Sequence, residues 1–273
     1  MSGVEQVRDW WRTEIVDVSD GSIRFRGYPV EQLMGNAGFA QTLWLLTRGE
    51  IPEPAQARLL EAAMVASMNA GPMSPSCAIA SMAMTCGVGL NNAIASGINA
   101  LGDTHGGAGQ QVMERLAQIS ADAGAEDIDG AVERHLDAFF AAGNRFLPGF
   151  GHRFHSTDPR AVRMLELVRQ AEQAGAVSGR FRRIALAIEA SLGRRKGKPI
   201  PMNVDGAFGA LLSELGFDPP LGRGVFVIAR AVGLMAHAVE TAAQGKRIKG
   251  PVPDTVMYTY AGPPPRDLPE GSP

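Results

Sequence analysis

The sequence predicts a mainly α fold, and three observations carry that prediction. Alternation of apolar and polar residues, the mark of a strand, is confined to residues 12–28. Beyond that point apolar residues recur three and four positions apart, the spacing of one helix face. The stretch 73–101 is rich in Ala, Gly, Ser and Met and nearly free of charge. Small residues let helices approach closely, so this stretch reads as the buried centre of a large helical domain or of a subunit interface.

In chain order, Arg12 to Asp17 and Ile23 to Tyr28 alternate around a Ser19-Asp20-Gly21 turn, which suits one short N-terminal β-hairpin. Helices are expected over 30–34, 39–48, 54–68, 76–87, 90–101 and 107–123, then over 128–142, 158–174, 179–192, 208–215 and 223–244. Pro54 and Pro159 suit a first helical turn, while Ser76, Asp127 and Asp158 are placed to cap. The Pro- and Gly-rich end, 262–273, is expected to be extended or disordered. The glycines at 87 and 89 follow a helix rather than a strand, so they are no dinucleotide-binding fingerprint. No internal repeat is present.

A chain of 273 residues can bury a substantial core in one large domain, with or without a subordinate lobe. Its formal charge of −2 gives no global field toward nucleic acid or a membrane surface. The start, Met1 to Trp11, carries Glu5 and Asp9 and lacks the apolar stretch of a signal peptide. Glycine and polar residues interrupt every run approaching the roughly 20 apolar residues of a membrane span. Cys77 and Cys86 read as reduced, buried, small apolar side chains. These features together predict a soluble cytoplasmic protein. Met64, Met68, Met73, Met82 and Met84 read as core filler.

Three separated segments set an ionisable residue among glycines. They are His105 in Gly102-Asp103-Thr104-His105-Gly106-Gly107, His152 in Pro148-Gly149-Phe150-Gly151-His152-Arg153, and Asp205 in Asn203-Val204-Asp205-Gly206. Glycine lets backbone approach a ligand and adopt conformations a β-carbon forbids. Two imidazoles and a carboxylate so presented are the parts needed for proton chemistry at a carbon beside a carbonyl. An enzyme is expected.

Six collinear segments resemble the citrate synthase superfamily. They are Arg26-Gly27-Tyr28-Pro29-Val30-Glu31-Gln32-Leu33, Leu45-Leu46-Thr47-Arg48-Gly49-Glu50-Ile51-Pro52, His105-Gly106-Gly107-Ala108, Gly149-Phe150-Gly151-His152-Arg153 with Asp158-Pro159-Arg160, Asn203-Val204-Asp205-Gly206, and Phe226-Val227-Ile228-Ala229-Arg230-Ala231-Val232-Gly233. The resemblance implies a citrate synthase-like fold of two helical domains with the active site between them. The large domain would hold residues 1–105 and 209–273, and the small domain residues 106–208. It also implies a homodimer or a dimer of dimers.

Several details are similar to the citryl-CoA lyase branch, including the C-terminal module of ATP-citrate lyase. The chain is short for a citrate synthase, and small residues follow Asn203-Val204-Asp205-Gly206. In Lys246-Arg247-Ile248-Lys249-Gly250, Gly250 stands where synthases carry an arginine that reaches the neighbouring subunit's site. In Met68-Asn69-Ala70-Gly71, Ala70 stands where synthases carry a histidine for the dicarboxylate. Arg247 or Lys249 of a second subunit is a candidate replacement for the missing arginine.

The resemblance implies that Asp205 moves the methyl proton of acetyl-CoA. His105 would hold the enolate oxygen, and His152 would move the proton of the partner's hydroxyl or ketone oxygen. Arg160 and Arg230 would grip substrate carboxylates, which arginine's fork suits. Phe150, Gly151, Arg153, Lys196 and Lys198 would meet coenzyme A, with the backbone of residues 147–151 cradling the adenine or the pantetheine arm. Arg194-Arg195-Lys196-Gly197-Lys198 as a solvated charge cluster is the rival reading of its basic part. Coenzyme A enters as a thioester substrate, with no tightly bound cofactor, and no metal is needed.

Of the remaining histidines, His135 reads as a surface or structural residue, His155 as a possible lining residue, and His237 as a core residue on the helix of Arg230. The expected activity is cleavage of citryl-CoA, or of a related 3-hydroxy-3-carboxyacyl-CoA, to acetyl-CoA and a 2-oxo acid. Its partners are therefore an acyl-CoA and a di- or tricarboxylate, with neither nucleic acid nor membrane. The alternatives are a citrate or methylcitrate synthase-like condensing enzyme and a non-catalytic CoA-binding subunit.

Overall fold

The computed structural model describes residue 7 and residues 10–124, 127–152, 156–253 and 255–268. Strand β1 (Val16–Ser19) pairs antiparallel with β2 (Ser22–Phe25), and β2 pairs with the two-residue β3 (Tyr28–Pro29). The expected hairpin is therefore the larger part of a three-stranded sheet. Arg26 (φ 49°) and Gly27 (φ 88°) make the tight return that adds the third strand.

The elements that follow are helices: α1 (Val30–Leu33), α2 (Phe39–Arg48), α3 (Pro54–Ser67), α4 (Pro75–Thr85), α5 (Leu90–Asn99), α6 (Ala108–Ala123), α7 (Ile128–Ala141), α8 (Pro159–Gln173), α9 (Arg180–Lys196), α10 (Val204–Glu214) and α11 (Pro219–Ala243). Pro54 and Pro159 open their helices, and the Asp127 and Asp158 side chains accept amide hydrogens as N-caps. Residues 262–268 have no regular secondary structure, and the remainder of that tail lies outside the described residues.

Four helix bounds differ from expectation in ways that matter for the site. Helix α10 starts at Val204, not 208, because the Asn203 side chain accepts from the amides of Asp205 and Gly206. Helix α9 runs on to Lys196, where Gly197 in the left-handed region stops it, with Arg194, Arg195 and Lys196 in the last turn. Helix α11 begins at Pro219, and α4 begins after Ser74, so Ser76 is not a cap.

One buried apolar cluster draws on α2, α3, α6, α7, α8, α9, α10 and α11, with Leu60, Met113, Leu136, Ile184, Phe208 and Leu211 nearly inaccessible. Residues Gly206 to Ser213 of α10 are all buried, so this helix is wrapped by its neighbours. A second, small cluster joins Cys77 and Ala80 of α4 to Leu234 of α11. Here a β-carbon at Gly97 would stand 2.8 Å from the Ser76 carbonyl oxygen, so the small residues of 73–101 do permit close packing. That stretch is not buried throughout. Cys86 is exposed and Met73 is almost wholly so, because both lie in the bends at the ends of α4. Both cysteines are free thiols. Helix α11 is long and apolar enough by composition to cross a membrane, which the sequence reading did not anticipate. Nearly half of its apolar window is packed inside the fold.

Candidate active site

His105 sits on the loop between α5 and α6. The loop is closed by the Gly102 amide donating to the His105 carbonyl (2.8 Å). The backbone amide of Ser76, in the first turn of α4, donates to His105 Nε2 (3.2 Å), and Ser76 Oγ stands 3.0 Å from the same nitrogen. An amide donor needs a lone pair on Nε2, so the ring proton resides on Nδ1. Burial, and then the positive charge of Arg230, push the His105 pKa below its ordinary value. At neutral pH the ring is a neutral donor through Nδ1.

Asp205 occupies the first turn of α10, where the helix N-terminus favours an anion. Desolvation outweighs this, and the Asp205 pKa is raised. Arg230, Arg160 and His152 oppose the rise, whereas Asp158 adds to it. A raised carboxyl at the end of a buried helix is a competent proton carrier.

The segment bearing His152 is clamped to the start of α10. The Gly151 amide donates to the Pro201 carbonyl (2.7 Å), the Asn203 amide to the Gly149 carbonyl (3.0 Å), and Asn203 Nδ2 to the Gly151 carbonyl (2.9 Å). Gly149 (φ 84°) lies so close to Gly206 that a β-carbon on Gly206 would stand 2.4 Å from the Gly149 oxygen. The two glycine-set motifs are thus parts of one contact. His152, exposed at its edge, acts electrostatically on Asp205.

Arg160 lies at the start of α8. Its guanidinium makes a two-pronged pair with Asp158 (Nε to Oδ1 3.0 Å, Nη2 to Oδ2 2.9 Å). Asp158 is buried and also accepts the Val204 amide (3.1 Å), so one carboxylate ties Arg160 to the helix of Asp205. Arg230 projects from α11 and is only 6% exposed. Its Nε donates to the Ser67 carbonyl (3.0 Å), and its guanidinium lies 4.8 Å from the Phe226 ring centroid. Among the described residues no carboxylate pairs with it, and burial lowers its pKa. Three titratable groups and two arginines therefore share one electrostatic neighbourhood.

Beside His152 lies a cavity of about 670 Å³ whose lining includes Phe150, Gly151, Lys196 and Lys198. Phe140, Phe146 and Arg145 line it too. Lys196 Nζ is 5.4 Å from the Phe140 ring centroid. The basic cluster divides by what its side chains meet. Arg194 and Arg195 are spent on Glu133 of α7, whereas Lys196 and Lys198 face the cavity. Arg145 escaped the sequence reading, although it stands only three residues before Pro148. Nothing in the local sequence links Ser76 to His105, and Asp158 pairs with the Arg160 side chain besides capping α8.

The structure does not bring Arg247 and Lys249 to this site within the chain. Their segment is tied to the end of α4, with the Ile248 amide donating to the Thr85 carbonyl (3.1 Å) and the Lys249 amide to Thr85 Oγ1 (3.0 Å). Lys249 lines a separate cavity of about 520 Å³ with Gly250 and His237. His237 Nε2 contacts Asn69 Oδ1 (3.1 Å). His135 contacts Arg115 (2.9 Å), in keeping with a structural role. Arg153 and His155 lie outside the described residues.

The family model for the citrate synthase C-terminal domain matches residues 6–72 and 52–251. A citrate synthase from Acidithiobacillus ferridurans is 29% identical over 249 residues, which are 87% of this chain and 59% of that protein. This chain therefore spans little more than half the length of that curated relative. Citryl-CoA lyase from Hydrogenobacter thermophilus superposes with a TM-score of 0.83 at 33% identity, over 95% of this chain and 97% of that one. ATP citrate lyase from Methanosaeta concilii, solved in complex with (3S)-citryl-CoA, shares the fold at 18% identity. Its TM-score is 0.75, over 96% of this chain and 45% of that one. The chain belongs to the citrate synthase family.

Proposed function

We propose that this protein is a carbon–carbon lyase that cleaves citryl-CoA, or a closely related 3-hydroxy-3-carboxyacyl-CoA, into acetyl-CoA and oxaloacetate or a related 2-oxo acid. The observation that supports the chemistry is that His105, whose Nε2 accepts the Ser76 amide and leaves Nδ1 as the donor, and Asp205, a carboxyl of raised pKa, both lie in the field of buried Arg230. In this reading His152 takes the proton of the tertiary hydroxyl. The bond from the carbinol carbon to the carbon α to the thioester then breaks, leaving a ketone and an enolate. His105 Nδ1–H holds the enolate oxygen, an arrangement worth about 3–4 kcal/mol at comparable sites. Asp205 delivers its proton to the enolate carbon to complete the methyl group. The proton gained by His152 balances the one lost by Asp205. No step calls for a metal ion or a resident cofactor.

Arg230 and Arg160 receive the substrate carboxylates. Arg230 suits this role because a buried guanidinium with no carboxylate paired to it among the described residues gains most from an arriving anion. The cavity with Arg145, Lys196, Lys198 and three phenylalanines offers cations for phosphates and apolar rings for the remainder of coenzyme A. The active unit is read as a homodimer or dimer of dimers in the cytoplasm. Residues 1–105 and 209–273 then make the large domain and residues 106–208 the small one. Arg247 or Lys249 would act across the subunit boundary.

The lyase reading is favoured over a condensing one by the match to a citryl-CoA lyase along nearly the whole of both chains. Ala70 and Gly250, at two positions where synthases are expected to hold the dicarboxylate, support it further. The test is to supply citryl-CoA and measure oxaloacetate, then supply acetyl-CoA with oxaloacetate and measure free thiol. Oxaloacetate release is expected. Rapid thiol release without citryl-CoA cleavage would make the protein a synthase.

A further inference from the structure

The loop that carries His105 is held from outside by a pair of residues with no part in the chemistry above. Arg223, near the start of α11, donates through Nη2 to Asp103 Oδ1 (2.5 Å). The Asp103 carbonyl accepts from Gln111 Nε2 of α6 (3.1 Å), so Asp103 is fixed at both its carboxyl and its backbone. A β-carbon at Gly107 would stand 2.7 Å from Asp103 Cα and 2.9 Å from Arg223 Nη2. Glycine there lets the guanidinium lie directly against the loop.

The pair makes little sense as a stability device. Asp103 is 79% exposed, and ion pairs with such a partner contribute little. Arg223 Nε is buried with no hydrogen-bond partner among the described residues, which disfavours holding the side chain there. Its placement does make sense along α11, where Arg223, Phe226 and Arg230 share one face. A β-carbon at Gly106 would stand 3.2 Å from the Phe226 ring. That ring also meets Phe208 of α10 edge-on (centroids 6.1 Å apart) and lies beneath Arg230. One helix face thus touches the His105 loop, touches the helix of Asp205, and carries Arg230.

We infer that Asp103 and Arg223 are positioning residues that set the His105 ring against the Ser76 amide, in register with Asp205 and Arg230. The inference rests on the reading of His105 as the donor to the thioester oxygen. Neither residue touches the reacting atoms, and both act through the loop.

The test uses full-length Asp103→Asn, Arg223→Gln and the double variant. Steady-state cleavage of citryl-CoA, melting temperature and the ring-nitrogen NMR signals of ¹⁵N-histidine-labelled protein are measured, with His105→Gln assigning the His105 signals. Each single variant is expected to lower kcat about tenfold to a hundredfold, as slight misplacement of a catalytic group does, with KM little changed. The double variant is expected to be no worse than the poorer single one, because the two act as one unit. The single Nδ1–H signature of His105 should become a mixture of tautomers. Independent, multiplying losses would overturn the inference, as would an unaltered His105 signal, even with a lower melting temperature. The NMR signature is read whether or not the wild-type protein cleaves citryl-CoA, so failure of the lyase reading is separable from failure of the brace. Asp103, exposed, serves if the Arg223 variant does not fold.

Discussion

Replacing Arg230 by methionine removes a cation that the fold has buried with no carboxylate paired to it among the described residues. With substrate bound, that cation would make two charge-assisted hydrogen bonds to a carboxylate, each worth about 1.5–3 kcal/mol. Truncating one side of such a buried pair costs about 2–5 kcal/mol. The variant should therefore lose roughly a hundredfold or more in kcat/KM for citryl-CoA, with the loss read as transition-state binding. The effect on the empty protein should run differently. Methionine forfeits the bond to the Ser67 carbonyl, about 1 kcal/mol, and the contact with Phe226, about 0.5–2 kcal/mol. It also removes the desolvation of a lone buried charge, which is several kcal/mol. These contributions nearly cancel, so thermal unfolding followed by circular dichroism should show a melting temperature within a few degrees of wild type. Activity within threefold of wild type, together with a drop of about 10 °C, would refute the reasoning. Arg230 would then be a structural cation rather than one that receives substrate.

The clamp between the two glycine motifs predicts that Gly206→Ala destabilises the protein by about 1–3 kcal/mol. Its β-carbon would meet both the Gly149 oxygen and Met202 Cγ (2.5 Å), and cleavage activity should fall with stability in a denaturant titration. Lys196→Gln with Lys198→Gln should raise KM for the acyl-CoA about three- to tenfold, at up to about 1 kcal/mol per exposed charge. The KM of the double variant should also depend less on salt than that of wild type. His105 has a folded pKa below its unfolded value, so the unfolded chain binds more protons between the two. Its contribution to stability is complete above about 6.5 and is lost as pH falls through that window. Melting temperatures of wild type and His105→Gln should therefore converge, or cross, on going from pH 7.5 to pH 5.

Where local pattern decides structure, the sequence was readable. The helix periods, the Pro54 and Pro159 starts and the Asp127 and Asp158 caps all depend on neighbours within a few residues. The start of α10 was harder because Val-Asp-Gly-Ala is a poor helical opening, and the side chains of Asn203 and the distant Asp158 take its first amides. Ser76 looks like a cap in sequence, yet Ser74 and Pro75 begin α4 and the Ser76 amide is turned to a histidine 29 residues away. The basic cluster showed the same limit. Nothing local says that Arg194 and Arg195 meet Glu133, 61 and 62 residues distant, while Lys196 and Lys198 face a cavity. The motifs themselves named His105, His152 and Asp205, the ionisable groups from which the candidate site is built. What they could not give was the clamp of Gly149 on Gly206, which brings two of those motifs into contact.

In the proposed mechanism Asp205 and His105 together make and quench a thioester enolate. Its most direct measurement is deuterium uptake into the methyl group of acetyl-CoA in D₂O, with malate present to fill the place of the 2-oxo acid, followed by mass spectrometry. Wild-type protein should catalyse the uptake, whereas Asp205→Asn should bind coenzyme A and catalyse none. Absent uptake in wild type, or equal uptake in the variant, would contradict that mechanism.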